Sequence, residues 1–253
     1  VDAPRKSIGG LPLAALIGVG YVKGNDGFGS GARLQGGSIM RRSVQAGFAL
    51  AGLLLGLAFA TPGHSAEDEQ FFASIFWDKK KIGQVHIRLS RGETGEIEEL
   101  RARATVSMLG INLYEFTQDL HQIWDNGDLK TMRGNADDNG TKYAVVLERD
   151  ATEYKGTLNG KAVTLPNAAF PNSLWHYAIV DHNLLFKQTD LQLLHVKVVE
   201  ATETIKLHGK SIPTRRATFS GDFSAVVWFD EKDTLVQGQY EMNGRKIRVE
   251  RDE

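Results

Sequence analysis

The side chains able to do chemistry in this chain are scattered. It has no cysteine, which removes disulfides, thiolate metal sites, cysteine nucleophiles, iron–sulfur clusters and a lipidated N-terminal cysteine. Six of its seven histidines, His86, His121, His176, His182, His195 and His208, lie beyond residue 67. No two have the helical spacing of paired ligands, and zinc needs three or four converging groups. Neither a metal site nor a cofactor is expected. His176 and His182, with Asp181 beside the second, are the acid and base candidates if the chain is an enzyme. Gly-x-Ser-x-Gly, Ser-x-x-Lys and His-Glu-x-x-His are all missing. The acidic pairs Glu67/Glu69, Glu98/Glu99 and Asp137/Asp138 fall at a terminus, on a polar strand face and in a turn. Solubility and turn chemistry account for them.

Aromatic residues are the stronger lead. Tyr114, Phe116 and Trp124 fall on one side of an alternating stretch. In a closed small barrel they would fill the interior. In an open, curled sheet they would line a groove for an apolar ligand. The segment 166–186 would sit over the opening as a plug, with Trp175, Tyr177 and Leu184 as its contacts. Trp228 would join Trp124 at the mouth.

The elements that must position these residues are strands. Apolar and polar residues alternate through 71–77, 82–90, 97–109 and 111–124. Val85, Ile87 and Leu89 share a face. So do Leu100, Ala102, Ala104, Val106 and Met108, and likewise Tyr114, Phe116, Leu120 and Trp124. Shorter strands follow, joined at Asn126-Gly127, Asn139-Gly140 and Asn159-Gly160, where both residue types accept positive φ. Pro166 breaks the pattern. The stretch 166–186 predicts the one helix, capped by Asn172 or Ser173, with Trp175, Ile179 and His182 on one face. Strands resume at 193–207, 214–221, 223–230, 235–242 and 246–250, the last pair closed by Asn243-Gly244. About a dozen strands with one short helix or loop plug predict a mainly β fold: a single curled antiparallel sheet, an incomplete or half barrel.

Not all 253 residues belong to that sheet. From Met40, Arg41-Arg42 precede an uncharged apolar run, Ala46 to Ala60, and then small residues. This is the pattern of a secretory signal peptide, and the run is shorter than the roughly 20 residues of a spanning helix. An uncleaved anchor is the alternative. Cleavage fits after Ala60, Ser65 or Ala66, and charge and strand pattern begin near Glu67. The expectation is a signal peptide over 40–66, a single antiparallel β domain over 67–253, and a Gly-rich upstream stretch over 1–39 that is disordered or not part of the natural protein. Residues 67–253 carry about −5, since six of 30 basic and two of 31 acidic residues precede them. No basic block of the kind that grips nucleic acid occurs.

Three strands end in an aromatic-Asp corner: Phe76-Trp77-Asp78, Ile123-Trp124-Asp125 and Trp228-Phe229-Asp230. An Asp there accepts from backbone N–H groups further on and locks the hairpin. Trp124-Asp125-Asn126-Gly127-Asp128-Leu129, Asp138-Asn139-Gly140, Trp175, and Trp228-Phe229-Asp230 with Leu235 together resemble a family of secreted proteobacterial proteins, a domain of unknown function. That family is similar in strand order and corner motif to the lipoprotein carriers, the LolA/LolB-like proteins. The resemblance implies an incomplete, curled barrel whose concave face is plugged by helix and holds acyl chains. It carries over no functional residue, and Asp233 stands where a Gly is common.

The resulting expectation is a periplasmic, non-enzymatic protein that binds an apolar or amphipathic envelope ligand, a lipid or acyl chain, through Tyr114, Phe116, Trp124, Trp175, Tyr177 and Trp228. An envelope-metabolism enzyme using the same pocket, or an envelope-assembly protein acting through protein contacts, is the alternative. No nucleic-acid partner and no membrane span after cleavage are expected.

Overall fold

The computed structural model describes residues 68–93, 95–242 and 245–253. The leader, the stretch before it and the Asn243-Gly244 turn lie outside the described residues. Fifteen strands form one sheet. The first eight are β1 (Glu69–Trp77), β2 (Lys80–Gly92), β3 (Gly95–Met108), β4 (Ile111–Asp125), β5 (Asp128–Asp138), β6 (Thr141–Arg149), β7 (Glu153–Leu158) and β8 (Lys161–Pro166). The remainder are β9 (Phe170–Pro171), β10 (Leu184–Phe186), β11 (Leu193–Leu207), β12 (Lys210–Gly221), β13 (Ala225–Phe229), β14 (Leu235–Met242) and β15 (Arg245–Arg251).

The sheet runs β8 through β1 in reverse chain order, then β15 through β9. Every neighbour is a hairpin partner except two joins. β1 pairs with β15, Ile75 opposite Val249, which brings the two ends of the domain together. β9 pairs with β10 in parallel. The sheet is open and curled, and its concave face is the core. Alternate residues of each strand point inward: Ala73 and Ile75, Val85 and Ile87, Leu100 and Ala102, Tyr114 and Phe116, Val227 and Phe229, Ile247 and Val249, all at most 2% exposed.

The expected helix at 166–186 shrinks to one 3-10 turn, Tyr177–Asp181. Phe170-Pro171 is taken up by pairing with Leu185-Phe186, and the Asn172 N–H donates to the Phe186 carbonyl. Neither Asn172 nor Ser173 caps a helix; both are buried. Ile179 is fully buried, and Trp175 packs on Phe71 at 5.5 Å. The segment is an irregular plug against the concave face. Lys187, 4% exposed, ties its return by donating to Gln192 Oε1.

Two of the three corners act as locks through backbone N–H groups, while Asp125 accepts from the Asn126 side chain at 2.9 Å. Asp230 Oδ1 accepts from the N–H groups of Lys232 and Thr234, both at 3.0 Å. Asp78 instead locks two hairpins together, accepting from Lys246 N–H at 3.2 Å and Arg245 at 2.9 Å.

Candidate functional site

Period two turns adjacent strand residues to opposite faces of the sheet. Glu98 and Glu99 therefore cannot share a polar face, and the structure turns Glu98 inward, completely buried two positions before Leu100. Gln118 and Gln122 obey the same parity, sharing the inner face of β4 with Tyr114, Phe116, Leu120 and Trp124 and fully buried. Glu98 lies directly opposite Gln122 in the β3–β4 ladder. The polar interior was thus legible from strand parity alone.

The plug supplies the partner. His176 Nε2 lies 2.5 Å from Glu98 Oε2, and its ring stacks on Trp124 at 4.0 Å. Burial pushes the imidazole toward neutrality, but the charge and hydrogen bond of Glu98 outweigh it and hold the His176 pKa above its ordinary value. His182 behaves oppositely. It stacks on Phe170 at 4.3 Å, and burial lowers its pKa despite the nearby Asp181. The carboxylate that His176 meets is Glu98, while Asp181 lies near His182.

Several polar atoms on this face have no hydrogen-bond partner among the described residues. They are Glu98 Oε1, Gln118 Oε1, both amide atoms of Gln122 and of Gln188, Trp124 Nε1, Asn172 Nδ2 and Ser173 Oγ. Each such group costs about 1–3 kcal/mol when left unmet. Polar groups so buried are kept where solvent or a ligand answers them.

Glu98 and His176 form the floor of a cavity of about 310 Å³. Phe71, Ile87, Leu89, Trp175 and Leu235 make its apolar wall, and Glu69, Glu96, Lys232 and Asp233 its rim. A second cleft, about 470 Å³, approaches His176 from the Trp124-Asp125-Asn126-Gly127 corner. Asp233 pairs with Arg215, whose guanidinium lies 3.9 Å over the Tyr177 ring. Tyr177 donates to Glu200 at 2.5 Å and meets Phe229 edge-on at 5.1 Å. Its hydroxyl pKa is raised, by burial first and then by Glu200.

The six aromatic candidates therefore separate. Trp175 lines the cavity and Trp124 backs the histidine. Tyr177 secures the plug beside it. Tyr114 and Phe116 are packed core, at most 1% exposed, and Tyr114 donates to Asp138 at 2.6 Å. Trp228 faces out: it pairs with Arg216 across β12 and its indole N–H reaches Glu203. No group of three or more His, Asp or Glu side chains is placed to hold a metal ion among the described residues. No helix among them is long and apolar enough to cross a membrane.

An open curled sheet with a plugged concave face defines a barrel-like β protein. It is similar in fold to a solved beta-barrel-like protein of domain of unknown function DUF1849 from Brucella abortus, at 9% identity and a TM-score of 0.53, over 74% of this chain and 96% of that one. The chain belongs to the family described as domain of unknown function DUF6134, whose model matches residues 74–252. No curated protein matches it in sequence.

Proposed function

We propose that this is an exported envelope protein that holds a small amphipathic ligand in the concave face of its sheet, in the manner of the LolA/LolB-like carriers it resembles. The signal-peptide pattern at 40–66 supports a periplasmic location. The observation that carries the reading is the union of an apolar wall with a buried carboxylate. Glu98 has one oxygen on His176 and the other unpartnered, at the base of a cavity walled by Phe71, Leu89 and Trp175. That volume lies at the lower end for small-molecule sites. Acceptor oxygens and an acidic rim select a head group that donates hydrogen bonds, an ammonium or a hydroxyl. The apolar part of the ligand gains about 25 cal/mol per Å² buried.

Trp175 reports occupancy. Titration with dodecylamine below its micellar concentration is expected to shift indole emission saturably, and dodecanoate is not. Glu98→Gln should weaken amine binding by roughly 10–100-fold, since a hydrogen bond to a charged group is worth about 1.5–3 kcal/mol. Equal binding of amine and carboxylate, or an unchanged Glu98→Gln variant, would refute the head-group assignment.

The Glu98–His176 pair also favours a second reading, an envelope-metabolism enzyme with these two as base and acid. That reading requires a bound ligand to change mass on incubation, and to stop doing so in His176→Gln.

A further inference from the structure

Six described hairpins turn on two residues: Asp78-Lys79, Leu109-Gly110, Asn126-Gly127, Asn139-Gly140, Asn159-Gly160 and His208-Gly209. The first residue of each sits at φ between 49° and 53°, in the left-handed region that such turns demand. Asn, Asp and His tolerate that region, whereas a bulky apolar residue there is an outlier. Leu109 alone breaks the pattern. It is 94% exposed, so no packing within the protein compensates for its conformation. Met108, at 61%, and Ile111, at 65%, flank it. Three apolar side chains thus stand on the tip of the β3–β4 hairpin, braced at its base by Ser107 Oγ donating to Asn112 Oδ1 at 2.6 Å.

The surroundings are cationic. Lys79, Lys80 and Lys81 are exposed on the adjoining β1–β2 hairpin, and Lys80 Nζ donates to the Ser107 carbonyl at 3.0 Å, at the base of the tip. Of the acids nearby, Asp78 pairs with Arg245, Asp137 accepts from the Gly140 N–H and Asp138 from Tyr114, and Glu115 is exposed on β4, so three lysines face one exposed carboxylate.

We infer that this tip is a membrane-contact device: Leu109, Met108 and Ile111 enter the interfacial layer of an anionic lipid bilayer while Lys79–Lys81 meet its head groups. Strain retained at an exposed position points to a use outside the fold, and apolar tips ringed by lysine partition into anionic interfaces. Three side chains on a convex tip are far too few for a stable protein interface, which buries about 1,200–2,000 Å². The contact is independent of the cavity, whose mouth lies at the opposite ends of β1 to β3.

Sedimentation of the full chain with vesicles of phosphatidylglycerol and phosphatidylethanolamine tests this. Wild type is expected to co-sediment at low salt and to be released as salt rises. Leu109→Asn should sediment about tenfold less, the order expected for removing one leucine from an apolar contact, and should melt no lower than wild type because Asn suits the turn. Lys79→Gln/Lys80→Gln/Lys81→Gln should weaken sedimentation and flatten its salt dependence. Failure of wild type to sediment, equal sedimentation of Leu109→Asn, or a lower melting temperature for that variant would each overturn the inference.

Discussion

Replacing Glu98 and His176 together should stabilise the protein, while replacing His176 alone should damage it. Glu98 is fully buried and one of its oxygens meets no described group. His176→Phe keeps a ring to stack on Trp124 but leaves that carboxylate buried and unpaired, which costs about 3–5 kcal/mol. Glu98→Leu with His176→Phe removes both charges and extends the apolar face already made by Leu100, Ile87 and Leu89. Exchanging a buried ion pair for apolar residues of similar size is neutral to stabilising by about 1–4 kcal/mol. In a domain of this size that is a rise of roughly 2–16 °C in Tm. Urea and thermal unfolding followed by circular dichroism measure wild type and both variants on one scale. The double variant should also lose amine binding. A double variant as unstable as His176→Phe would show the pair to be a structural anchor, and the reasoning would fail.

The same pair sets a pH dependence. Because the folded pKa of His176 lies above its ordinary 6.5, its stabilisation is complete below about pH 6.5. It is lost as pH rises through the raised value. Urea midpoints should therefore fall as pH climbs from 6.5, and His176→Gln should remove that component. Gly156→Ala should cost about 1–3 kcal/mol, because an added Cβ would meet the Val146 carbonyl oxygen at 1.8 Å, backbone that cannot swing aside; its unfolding midpoint checks this. Trp228→Phe should leave ligand titrations unchanged and cost about 0.5–1.5 kcal/mol for the lost Glu203 contact. Weakened binding in that variant would contradict the outward placement of Trp228.

The sheet was legible because strand parity is a local rule. Val85, Ile87, Leu100, Ala102, Tyr114, Phe116 and Trp124 all fall on the inner face their alternation predicts. The three Asn-Gly turns form where their tolerance of positive φ requires. Leu109-Gly110 and His208-Gly209 are less legible, because Leu opposes the left-handed conformation and His tolerates it without marking a turn as Asn does. Met108, expected on the buried face, is 61% exposed, because it stands beside the Leu109-Gly110 turn opposite Ile111, beyond the packed part of the sheet.

The plug was misread for a different reason. Trp175, Ile179 and His182 do all turn toward the core, and that spacing imitates a helix face. The chain reaches the same end by irregular means, held by the Phe170-Pro171 pairing and by Ile179 and Trp175 against the sheet. Glu98 was within reach of sequence reasoning: adjacent residues of a strand point to opposite faces, so one of two adjacent acids meets the core wherever the sheet covers that face. Its union with His176, 78 residues away, was not, since nothing local states which inner residue the plug will meet.

Native mass spectrometry of the protein, purified from bacterial periplasm without detergent, tests the central claim most directly. The account predicts a stoichiometric adduct whose extract contains an apolar tail and a hydrogen-bond-donating head, and which is absent from Glu98→Leu/His176→Phe. A clean unliganded mass that amphiphiles added afterwards do not change would contradict it, and would reduce the cavity to an imperfection in the core.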